Sequence, residues 1–297
     1  MKSVTMGSIA VGLAIWIVLL GSTGLAQSTT SPKVVLVFDG MAYSNKPNLS
    51  AYGIRPITMA YAGKFGPDWN KHADRLPDLP AVQAVAREAQ QKGHVVVVDI
   101  EHWPLDGSPD LVRDSLTKYM TVLDWFRKAA PGLSVGYYGA PPIRDYWRAI
   151  TNTSSRERQS WMAENDQLRS LAGAVDVFFP SLYTFYPDQS GWKKYAIAQI
   201  EEARRYASGK PVYVFLWPQY HDSNLTLGGR YLPTDYWLLE LETAKEYADG
   251  MVIWGGWGSD NRPAKWDENA AWWKVTKEFM KSRDQSPPTA PTSLRVF

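Results

Sequence analysis

At 297 residues, with 45 % hydrophobic content and a net charge of +2, the chain can form one large domain with a substantial core. Its near neutrality speaks against nucleic acid or an anionic membrane as partner. The absence of cysteine excludes disulfides, thiolate metal sites and a thiol nucleophile. The histidines His72, His94, His102 and His221 are widely separated and lack an HxH or HxxxH spacing, so no metal is expected.

Residues 1–26 have the form of a secretory signal peptide: Lys2, a mostly apolar run from Ile9 to Leu20, and the small-x-small triplet Gly24-Leu25-Ala26. The run is short for a permanent membrane span. A secreted or periplasmic protein is therefore expected, with no membrane attachment after cleavage. A polar linker, 27–32, leads to the body of the chain at 33–281.

Val34 to Asp39 is the first predicted strand, and it ends at Asp39-Gly40. Pro56 to Tyr61 is a second, and Ala81 to Lys92 an amphipathic helix stopped by Gly93. Then comes the stretch that organises the rest, HVVVVDIEHWP from His94 to Pro104. Four valines suit a parallel strand covered on both faces. Because strand side chains alternate, Asp99 and Glu101 share a side while Ile100 takes the other. Two like charges on one face resist joint ionisation, so one pKa rises. Glu101, nearer the strand end, is the expected proton donor, and the deeper Asp99 the partner that stays charged.

A helix follows from about Asp110 to Ala130, capped by Ser108 ahead of Pro109 and stopped at Pro131-Gly132. Leu133 to Tyr138, Val175 to Tyr183, Pro211 to Trp217 and Met251 to Trp254 are further strands. Helices are expected over much of 143–171, at Gly191 to Ala207, after Thr234 to Ala248, and at Asp267 to Lys281. Seven strand-like runs alternating with helices imply an α/β fold with a parallel sheet. Acids and aromatics collect at nearly every strand end, which favours a TIM-type (β/α) barrel of seven or eight strands over an open sheet. No strand is followed by a GxGxxG or GxxxxGK loop, so no nucleotide cofactor is expected. The tail, 282–297, is Pro-rich. It resembles the first strand of a fibronectin type III module but reads best as a linker.

The chain has 14 Trp and 16 Tyr. Tyr137, Tyr138, Tyr183, Trp217, Tyr220, Trp254 and Trp257 fall just after predicted strands. A cleft of flat rings and a few acids suits a sugar polymer, whose pyranose faces stack on aromatics.

The D-x-E strand end at Asp99 and Glu101, with Phe179-Pro180-Ser181-Leu182-Tyr183, Val212-Tyr213-Val214-Phe215 and Gly250 to Gly255, resembles stations of the hyaluronidases and, more distantly, the chitinases. The resemblance implies a secreted glycoside hydrolase acting on an N-acetylhexosamine polysaccharide. Glu101 would be general acid and then base, Asp99 would orient the substrate's 2-acetamido group, and Tyr183 would bond the acetamido oxygen. Trp254 would wall the sugar, with Trp217 or Tyr220 as a second contact, and Asp39 and Tyr137 at neighbouring strand ends as further substrate-binding candidates. The near-neutral charge favours a less anionic glycan than hyaluronan; Lys64, Lys71, Arg144 and Arg148 are the nominated loop cations. Two alternatives stand beside this reading. One is a two-carboxylate glycosidase pairing Glu101 with Asp39, Asp176, Asp188 or Asp222. The other is a catalytically silent barrel that binds glycan.

Overall fold

The computed structural model describes Met1 and residues 34–283, apart from Pro67, His72, Ala73, His94, Ser259 and Asn261. The expected signal peptide, linker and all but the start of the tail lie outside the described residues. No helix among those described is long and apolar enough to cross a membrane.

The strands are β1 (Leu36–Met41), β2 (Arg55–Pro56), β3 (Thr58–Tyr61), β4 (Val96–Asp99), β5 (Val135–Tyr137), β6 (Tyr213–Leu216) and β7 (Gly250–Gly255). β2 and β3 are one extended run interrupted at Ile57: its first part pairs with β1 and its second with β4, both in parallel. β4 pairs with β5. The expected strand at 175–183 is instead irregular. It holds its place through single parallel bridges, Tyr138 to Phe179 on one side and Phe178 to Val212 and Ser181 to Phe215 on the other. β6 pairs with β7 and β7 with β1, which closes a seven-staved parallel ring. Pro180 explains the irregular stave, since proline has no amide hydrogen for a ladder.

Period-two alternation sorts the side chains into two cores. Phe38, Val97, Phe179, Tyr213, Phe215 and Val252 fill the barrel interior, while Val37, Val96, Val98, Val214 and Ile253 face the helices. Bulk inside is balanced by glycine. A Cβ on Gly136 would stand 2.1 Å from the Val177 carbonyl oxygen and 2.9 Å from the Phe179 ring. Gly136→Ala is accordingly expected to destabilise the fold by about 3 kcal/mol, because the obstacle is backbone that cannot step aside. A urea midpoint equal to wild type would contradict this packing.

The helices form the outer layer: α1 (Leu79–Lys92), α2 (Pro109–Ala129), α3 (Tyr146–Ala149), α4 (Arg156–Asp166), α5 (Arg169–Ala174), α6 (Gln189–Ala207), α7 (Thr234–Tyr247) and α8 (Ala271–Ser282). Their ends obey local rules. Ser108 accepts from the Leu111 amide ahead of Pro109, Asp188 accepts from the Gly191 amide, and Gly93 closes α1 at φ 66°. Thr234 is the first residue of α7 rather than its cap, a place taken by Pro233. Much of the tryptophan content is spent here: Trp161, Trp192, Trp237 and Trp273 are fully buried in the helical layer. Richness in tryptophan is thus largely a property of the core.

Candidate active site

β4 delivers the two acids to the mouth at the C-terminal ends of the staves, where barrels place their chemistry. The strand ends at Asp99, so alternation past it is carried by an irregular segment: Ile100 turns into the helical layer, and Glu101 emerges exposed. Tyr119 of α2 pins this turn, donating to the Ile100 carbonyl at 3.0 Å and the Trp103 carbonyl at 3.2 Å. The acids then part. Asp99 lines a cleft of about 820 Å³ with Tyr61, Trp217, Gln219, Asp222, Tyr231, Trp254 and Trp257. Glu101 lines an adjoining depression of about 200 Å³ with Trp103, Leu105, Tyr138, Arg144 and Ser181.

Burial pushes the Asp99 carboxyl up to about 7, and the neighbouring Glu101 charge adds to the rise. This corrects the expectation that the proton would sit on the outer acid. The deeper carboxyl is the desolvated one, and loss of water costs its charged form more than the repulsion does.

An aromatic wall stands around Asp99. Trp254 donates from its indole nitrogen to the Tyr61 hydroxyl at 3.2 Å. The Tyr183 ring packs against Trp254 at 5.5 Å and 31°, and Trp217 meets Trp254 edge-on at 4.9 Å and 86°. Burial holds the Tyr183 phenol protonated far above its ordinary range, with the neighbouring Tyr138 phenol adding to the rise; Tyr138 and the Ser181 hydroxyl are hydrogen-bonded at 3.0 Å. Tyr61 and Asp99 are partners across the β3–β4 ladder, and the Tyr61 phenol is raised by burial first and by the Asp99 charge as well. Glycines let the wall close: Gly256, at φ 87°, would put a Cβ 2.5 Å from the Tyr43 amide nitrogen. Behind the wall, the Thr184 hydroxyl donates to Glu240, a fully buried carboxyl of α7 that burial holds far above its ordinary range.

The structure therefore brings together Asp99, Glu101, Tyr183, Trp217 and Trp254. Three other sequence candidates lie elsewhere, each for the same reason of parity. Tyr137 faces the helices, its ring 4.8 Å from Tyr119 and its hydroxyl donating to the Tyr119 carbonyl at 2.7 Å. The inward residue is its neighbour Tyr138. Tyr220 points to α7 and meets Tyr236 at 6.4 Å, while Gln219 takes the cleft position. Asp39 alternates outward from Phe38 and is held by Lys46 at 2.5 Å. Of the four partner acids considered for Glu101, Asp176 pairs with Arg127 at 3.0 Å and Asp188 caps α6. Asp222 alone of the four faces the cleft. Among the nominated cations, Arg148 is clamped by Asp145 and Glu164 and Lys71 pairs with Asp68, whereas Arg144 lines the depression beside Glu101. Sequence reasoning passed over Tyr61, Gln219, Asp222 as a cleft wall, and Tyr231. Tyr61 carried a usable signal, as the last residue of a strand-like run. No cluster of His, Asp or Glu suited to a metal occurs among the described residues.

The closed ring of parallel staves inside a layer of helices is a TIM-type (β/α) barrel, with the acid pair and aromatic wall at its C-terminal mouth. Two crystal structures of bee venom hyaluronidase are similar to it at 17 % identity. One spans 84 % of this chain and 97 % of its own with a TM-score of 0.56; the other, in complex with a hyaluronic acid tetramer, spans 84 % and 96 % with 0.57. Neither a protein-family model nor a curated protein sequence matches the chain.

Proposed function

We propose that the protein is an exported glycoside hydrolase that cleaves an N-acetylhexosamine-containing polysaccharide with retention, using the substrate's own 2-acetamido group. The observation that carries this reading is the unequal acid pair: Asp99 largely buried in the cleft with Tyr61 and Trp254, and Glu101, two residues on, exposed in a depression of its own. A sugar in the Asp99 cleft and its aglycone in the Glu101 depression put the glycosidic oxygen within reach of Glu101. As the acetamido N–H moves in against Asp99, the proton that Asp99 holds in the free protein passes to Glu101, which gives it to that oxygen as the C1–O bond breaks. Asp99 accepts the acetamido N–H and turns the carbonyl oxygen onto C1, forming an oxazolinium. Glu101, now a carboxylate, takes a proton from water as the water attacks C1 and reopens the ring. A second carboxylate nucleophile is not required, which sets this route apart from the two-carboxylate scheme.

The hyaluronidase structures support the barrel on which this chemistry is drawn, and one of them holds a hyaluronic acid tetramer. The test is a panel of chitin, peptidoglycan, hyaluronan and chondroitin fragments, with the anomer of the first-formed product read by NMR. Retention and inhibition by a thiazoline analogue of the oxazolinium are expected; inversion, or an inert thiazoline, would overturn the route. A pH effect accompanies it. With Asp99 raised to about 7, the pair keeps one proton below that pH and loses it above. Hence kcat/KM should fall about tenfold per pH unit above 7.

Asp222 favours one rival, in which Glu101 and Asp222 act as an ordinary acid–base or acid–nucleophile pair. That mechanism makes Asp222→Asn as damaging as Glu101→Gln and leaves thiazoline without effect.

A further inference from the structure

Beyond the depression that holds Glu101, the surface carries a group of rings the chemistry above does not use. Trp147 is 61 % exposed and Tyr186 37 %, and their rings meet at 5.1 Å and 46°. Exposing an indole to water is unfavourable, and a four-residue helix such as α3 is a poor support unless braced. α3 is braced. Asp145 caps it by accepting from the Arg148 amide at 2.8 Å, and the Arg148 guanidinium is held by Asp145 at 2.6 Å and by both oxygens of Glu164 at 2.6 and 2.7 Å. The adjacent Tyr146 packs edge-on against Trp147 at 5.1 Å and 86°. The outward ring thus has a set position.

The patch is continuous with the site. From Tyr186 the rings run to Phe185 at 6.3 Å, to His221 at 4.7 Å and to Tyr183 at 6.1 Å. Arg144, which lines the Glu101 depression, lies over the Phe185 ring at 5.4 Å. At the Asp99 cleft, Tyr231 and Trp257 are 51 % and 37 % exposed. Exposed rings therefore stand both near the Glu101 depression and at the Asp99 cleft, as a chain longer than the unit being cleaved would use.

We propose that Trp147 and Tyr186 form a stacking platform for a sugar of the leaving-group side of the chain, beyond the unit next to the cleaved bond. The enzyme then cuts within a polymer rather than trimming its end. This rests on the glycosidase reading for its orientation. A planar, edge-polar, rigid ring presented at low entropic cost suits the apolar face of a pyranose.

The test compares Trp147→Ala and Trp147→Phe with wild type on two substrates: a chromogenic N-acetylhexosaminide too short to reach α3, and the soluble polymer or hexasaccharide cleaved in the panel above. Binding to the same glycans immobilised in a native gel is measured in parallel. Trp147→Ala should lower kcat/KM on the long substrate, and retardation by the polymer, about tenfold, with the short glycoside unchanged and Trp147→Phe largely restored. Equal effects on both substrates, or none on the long one, would overturn the platform. Retardation that depends on Trp147 without any hydrolysis would sink the glycosidase reading and leave the platform standing. No retardation of the wild-type protein by any of these glycans would sink both.

Discussion

Glu101→Gln is expected to lower kcat about 10³-fold with little change in KM, and Asp99→Asn to be comparably severe. On the proposed route the first removes the proton donor and leaves a side chain of equal size. General acid catalysis contributes about 10²–10⁴-fold, and Glu101 is the exposed member of the pair, positioned where a leaving oxygen would pass. On the same route the second would remove the acceptor that holds the acetamido group in line, so that the internal nucleophile is no longer presented to C1. Asp222→Asn should be mild, within about tenfold. The three variants together discriminate the mechanisms: severe, severe and mild supports substrate assistance, whereas severe, mild and severe supports a two-carboxylate enzyme. Full activity of Glu101→Gln on every glycan bound would leave a barrel that binds without cleaving.

The second large effect concerns stability, and Asp99→Asn should act in opposite directions on activity and on the fold. The Asp99 carboxyl is raised from 3.8 to about 7 in the folded protein. A raised carboxyl favours the folded state while protonated, so this contribution is fully present below about pH 4 and is lost as pH rises through about 7. Above 7 the fold carries a desolvated charge at a cost of about 2–4 kcal/mol, discounted toward the lower figure because the group lines an open cleft. Asparagine carries no such charge. At pH 8 the variant should melt about 4–8 °C above wild type, and at pH 4 the two should nearly coincide. A shift of the same size at both pH values would mean that packing, not charge, distinguishes them.

Asp99 thus costs the fold stability above about pH 7, as a carboxyl kept under cover does. Glu240 is a contrast. It too is a buried acid held neutral, but it projects from α7 onto the Thr184 hydroxyl and does not line the cleft. Its work is to hold the segment that carries Tyr183.

Much of this was legible in the chain itself. The valine run at 95–98, the strand-ending acids, Ser108-Pro109 and the glycine stops are local signals, because a strand's covering and a helix's cap depend on residues within a few positions. They were sufficient for an α/β barrel with seven staves and for the pair Asp99 and Glu101. The side a residue faces just past a strand end was less accessible. Tyr137 and Tyr138 are chemically identical, and one step of register sends the first against Tyr119 and the second into the barrel. Tyr220 and Asp39 were misplaced for the same reason.

By itself, then, the sequence determined the order of elements and the acid pair, since alternation and capping act over neighbouring residues. Tertiary structure decided which acid holds the proton, because desolvation of Asp99 comes from Tyr61, Tyr183 and Trp254 on three other staves. It also decided which of the many rings are core and which face a sugar, because burial is set by what the remaining staves and helices cover. A stretch of chain carries its own periodicity; the dielectric around its side chains is made by residues far away in sequence.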